Sequence, residues 1–132
     1  MSQLLNYATE ILLLVFLIIT FLQSGIDKII DWTGNISWLK EHFSKTAFKN
    51  NVPLLVGIIL ITEMAAALFC IGGVYQIIAY GTIEFAFYGA LISCIALLML
   101  LFGQRVAKDY EGAKTIAIYF VPAIFLVFLL QG

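Results

Sequence analysis

Three carboxylates fall in or beside the most apolar parts of this 132-residue chain: Glu10, Glu63 and Glu84. Glu63 has the most demanding setting, because it interrupts the run LVGIILITEMAAALFCIGG from Leu55 to Gly73. An isolated charge among aliphatic side chains is costly, so the neutral acid is the expected form. Ionisable groups in such surroundings turn toward other helices and mark functional sites. Two roles are open on the sequence. Glu63 is either a ligand-contacting or titrating group, or a hydrogen-bonding group that fixes one helix against another.

The residues around it narrow the geometry. One and two helical turns on stand Ala66, Ala67, Cys70 and Gly73, all small, a helix-packing face that lets a neighbouring helix come close. On the preceding apolar segment Thr20, Gln23, Ser24 and Asp27 share a helical stripe that leads to Lys28. Thr20 is the nearest of these in depth to Glu63. The stripe reads equally well as polar contact between helices. Further on, Tyr80, Glu84 and Tyr88 are spaced by four, with Phe85 and Phe87 beside them. They form either an interfacial aromatic belt or the wall of a pocket for a planar apolar ligand, gated by Glu63 and Glu84. The candidate ligand-binding set is therefore Glu63, Glu84, Tyr88, Thr20 and Gln23.

Sharper chemistries lack their parts. The single histidine, His42, lies in a polar connection, so no histidine pair is offered to a haem. Cys70 and Cys94 stand apart in apolar runs and read as small hydrophobes. No phosphate loop, nucleophile elbow or zinc spacing occurs, so no catalytic residue and no metal ligand is assigned. The expectation is a chain that is not an enzyme in isolation and binds no cofactor alone. Seven Lys and Arg against eight Asp and Glu leave no basic stripe for nucleic acid.

The elements that position these residues follow from composition. Apolar residues are 63% of the chain and charged residues 11%, against about half and a quarter in a soluble domain. The solvent is a bilayer, whose core takes roughly 20 apolar residues of helix to cross. Four segments qualify, at about 8–25, 53–73, 81–103 and 113–131, the first continuing helically toward Trp32. The fold class is all-α: one polytopic four-helix membrane bundle over 1–132, with a long amphipathic loop at 27–51. Neither Lys nor Arg precedes the first span and no small-residue cleavage site follows, so it reads as a retained helix. Thr33, Gly34 and Asn35 signal a turn in the loop. Beyond it Trp38, Leu39, Phe43 and Phe48 make either an interfacial segment or aromatic anchors of a polar loop. Pro122 predicts a kink in the fourth span. Lys28, Lys40, Lys45 and Lys49 lie in the first connection, and Arg105, Lys108 and Lys114 in the third. The positive-inside rule then places both termini outside the cytoplasm.

The stretch FLQSGIDKIIDW, Phe21–Trp32, resembles the F-x-x-S-G-x-x-K motif of DoxX-like membrane proteins. Pro53 opening the second span, Glu63 within it and Gly72-Gly73 near its end also fit that family. Ser24, Gly25, Lys28 and Glu63 are the informative matches, with Gln23 beside them. The resemblance implies a bacterial inner-membrane protein, with periplasmic termini, serving as an accessory subunit of a larger, redox- or quinone-linked complex. A quinone or lipid is the ligand class it implies; membrane lipids, other subunits and further copies of the chain are the implied partners. Two other readings stand beside it: a proton-coupled carrier using Glu63, and a quinone- or lipid-directed membrane enzyme with Glu63 as acid or base.

Overall fold

Backbone amides have no water to bond in a bilayer core, so long apolar segments must satisfy them internally, as helices. The computed structural model, which describes residues 5–42 and 52–131, has that form and shows no strand among them. Its helices are α1 Ala8–Ile30, α2 Trp32–His42, α3 Val52–Tyr80, α4 Glu84–Val106 and α5 Tyr110–Gln131. All but α2 are long and apolar enough to cross a membrane. They contain 23, 29, 23 and 22 residues, or about 33 to 44 Å of rise. Leu12, Ile61, Leu68, Val121 and Phe128 point outward and are exposed, as side chains facing lipid would be. The chain is an all-α polytopic bundle, and its four spans fit a multi-pass membrane protein.

Element boundaries differ from the sequence reading in two informative places. The second span continues past Gly73 to Tyr80, because Val74–Tyr80 offers no breaker. Gly81, at φ 71°, makes the turn instead. Tyr80 therefore ends α3, where its ring meets Tyr75 edge-on at 6.1 Å. In the first connection Thr33, Gly34 and Asn35 make no turn; they lie in the first turn of α2. The chain bends at Asp31, whose N–H still bonds the Asp27 carbonyl at 3.2 Å. α2 buries Ile36, with Leu39 alongside, against Val52 and Val56 of α3. Phe43, Lys45, Phe48 and Lys49 lie outside the described residues. Pro122 stands inside α5 without ending it.

Side-chain size decides how the helices meet. The transmembrane helices form a ring in the order α1, α3, α4, α5, which closes more lightly between α5 and α1. Phe16 and Tyr119, with centroids 6.0 Å apart, sit at that seam. α3 and α4 are antiparallel and nearly touch through their backbones. A Cβ on Gly73 would lie 2.6 Å from Ala86 Cα, and one on Gly89 would lie 2.9 Å from Cys70 N. Ala66, Ala67, Cys70 and Gly73 are all buried, as their sizes predicted. Lipid tails are as apolar as leucine, so this contact is driven by close packing rather than by the hydrophobic effect. Gln76 adds a polar pin: its Oε1 accepts the Phe85 N–H at 3.0 Å, satisfying one open donor in the first turn of α4.

Candidate functional site

Glu63 is 1% exposed and turns toward α1. Its Oε1 lies 2.9 Å from Lys28 Nζ, and its Oε2 accepts a hydrogen bond from Ser24 Oγ at 2.8 Å. Lys28 Nζ donates in turn to Ser24 Oγ at 2.7 Å, which closes a three-membered polar ring between two helices. Oε1 has no aligned donor, so its attraction to the ammonium is chiefly Coulombic. Ser24 and Lys28 are one turn apart on α1 and share a face by helical period. Gly25 makes the approach close. A Cβ there would meet Met64 Sδ at 2.5 Å, beside Leu60 Cδ1 at 3.6 Å.

Glu63 was expected to face a neighbouring helix, and it does; two expectations about its partners are corrected. Thr20 was expected as the nearest partner, yet its Oγ1 bonds the Phe16 carbonyl of its own helix at 2.8 Å. Gln23 is exposed on α1 and takes no part. α1 continues to Ile30, so Ser24 and Lys28 keep helical positions on the face that meets Glu63, the twelfth of the 29 residues of α3.

A cavity of about 630 Å³ opens beside the ring, between α2, α3 and α4. The size gradient along α3 and α4 explains its position. Near Gly73 and Ala86 the helices are in contact. Toward the other end, the larger Val56, Ile59, Ile95 and Met99 border open space. Among the described residues most of the wall is aliphatic; the polar ones are Lys28, Asn35, Gln104 and Asp109, with Trp38 adding an aromatic face. Lys28 is 19% exposed, so the ammonium of the buried pair also belongs to the cavity wall. Gln104 Oε1 is buried without a hydrogen-bond partner. Asp109 caps α5, its Oδ1 accepting the Gly112 N–H at 3.0 Å. Asn35, Trp38, Gln104 and Asp109 were missed in the sequence because they come from two distant stretches of the chain, 35–38 and 104–109. Only the polar step from Gln104 to Asp109 hints at them.

Glu84 and Tyr88 belong elsewhere. With Ile83, Phe87, Leu130 and Gln131 they border a shallow depression of about 230 Å³ at the opposite end of the bundle. Gly73 faces Ala86, so Glu84 is level with the stretch after Gly73, about 15 Å or more of helix rise from Glu63. No pocket is gated jointly by Glu63 and Glu84. Tyr88 leans its ring on Phe69 at 6.3 Å. Cys70 and Cys94 are both free thiols in the core.

No protein-family model, curated protein or solved structure matches this chain.

Proposed function

We propose that this chain is a small integral-membrane accessory subunit that holds a hydrophobic ligand in the cavity beside Lys28 and Glu63. The single observation behind the reading is an aliphatic cavity of about 630 Å³ with Lys28, the half-buried partner of Glu63, in its wall. Small-molecule sites are typically apolar hollows of this size, with a few fixed polar groups.

The DoxX-like resemblance supports the same reading. Ser24, Gly25, Lys28 and Glu63, the residues that carry it, meet at one place between α1 and α3. Its implications complete the proposal: a bacterial inner-membrane location, the lysine-bearing connections on the cytoplasmic side, and assembly with a larger, quinone-linked complex. The cavity would then lie at the cytoplasmic end.

Purification from native membranes in mild detergent tests this, with particle mass, visible spectrum and extracted small molecules read together. A large particle carrying redox-active partners and an apolar molecule in stoichiometric amount is expected. A lone bundle with no co-purifying molecule would sink the proposal.

A further inference from the structure

Resting on the reading of the cavity as a ligand site, we infer that it selects an uncharged amphiphile whose head carries hydroxyl or carbonyl groups. Among the described residues that line it, the charged side chains are already engaged. Lys28 is held by Glu63 and Ser24, and Asp109 is engaged at the start of α5. A further charge brought into this aliphatic space would stay uncompensated at low dielectric. An anionic head would compete with Glu63 for Lys28, and a cationic head would meet the like charge of the Lys28 ammonium, the member of the pair that lines the cavity.

What the cavity does have is unused hydrogen-bonding capacity of both kinds. An ammonium has three donors. One goes to Ser24 Oγ and one direction faces Glu63, which leaves the third for an acceptor in the cavity that Lys28 lines. Gln104 also lines the cavity, and its Oε1 is buried with no donor; buried acceptors of that kind are rare. A head with one acceptor and one hydroxyl satisfies both, while an alkyl chain or apolar ring covers Val56, Ile59, Ile95 and Met99. Trp38, also in the wall, reports occupancy optically.

The test uses the full chain in detergent, with Trp32→Phe so that Trp38 is the remaining tryptophan. Its fluorescence is followed during titration with 1-oleoylglycerol, oleate or oleylamine, which share a chain and differ in head charge. The neutral glyceride is expected to bind at least tenfold more tightly than either charged probe. Lys28→Met and Gln104→Leu should each weaken it by about tenfold, the effect of one lost hydrogen bond in a buried site. Should Lys28→Met fail to assemble, Gln104→Leu carries the same test from the other wall. Tighter binding of oleate or oleylamine would overturn the neutral-head inference and leave the cavity reading standing. Binding of the glyceride that neither substitution weakens would also overturn it. Failure of all three probes to bind would remove the cavity reading itself.

Discussion

Lys28 Nζ reaches across from α1 to within 2.9 Å of Glu63 Oε1 on α3, so that the most buried carboxylate of the bundle neutralises a lysine of the neighbouring helix. Ser24 bridges both members. Removing one member of such a pair leaves an uncompensated buried charge, whereas removing both leaves an apolar contact. Lys28→Met alone and Glu63→Leu alone should each destabilise the bundle by about 3 kcal/mol. The double substitution should recover most of that loss. Denaturant titration in mixed micelles measures all three; a double variant as unstable as the sum of the singles would show that the pair does not couple α1 to α3.

Ser24→Ala leaves both charges in place and deletes only the bridge. It should cost about 1 to 2 kcal/mol, clearly less than Lys28→Met. The same unfolding assay ranks the two, and a Ser24→Ala loss equal to that of Lys28→Met would mean that the hydroxyl, not the ion pair, holds the helices.

Gly25 and Gly73 both face a close neighbour, yet they should respond differently to an added methyl. At Gly25 the obstacle is Met64 Sδ, the flexible end of a side chain, which can swing aside. At Gly73 it is the Ala86 backbone, so α3 and α4 must separate. Gly73→Ala should therefore lose about 2 kcal/mol or more and Gly25→Ala under about 1 kcal/mol. Comparison of the two unfolding midpoints decides it, and equal losses would contradict the backbone contact.

Gln76→Ala removes the acceptor that α3 offers to the Phe85 N–H. A loss of about 1 kcal/mol is expected. It should be accompanied by faster amide exchange at Phe85 than at Gly89, deeper in α4. An unchanged exchange rate at Phe85 would show that the bond is not made in the membrane.

The spans were legible because twenty apolar residues have a single outcome in lipid, and the small face Ala66–Gly73 was legible because its period matches a helix. Glu63 stood out for the same reason that it is buried: an ionisable group in such a run must find protein. Its partner was harder to read. The first apolar span looked closed at Gly25, which left Lys28 at the surface, whereas α1 runs on to Ile30 and holds Lys28 in its last turn. Proximity in depth then favoured Thr20, but a threonine in a helix can bond its own preceding turn, and this one does. The cavity was illegible because it depends on how far apart two helices stand, a quantity that no local pattern encodes.

The contact of Gly73 with Ala86 and of Gly89 with Cys70 divides the α3–α4 pair into a clamped end and a free end. At the clamped end there is neither slack for sliding nor a gap for a lipid tail, so the two helices behave there as one beam. At the other end the pair stands apart and borders the cavity, with α2 on its far side. A ligand in the proposed site would therefore rest against a closely packed back.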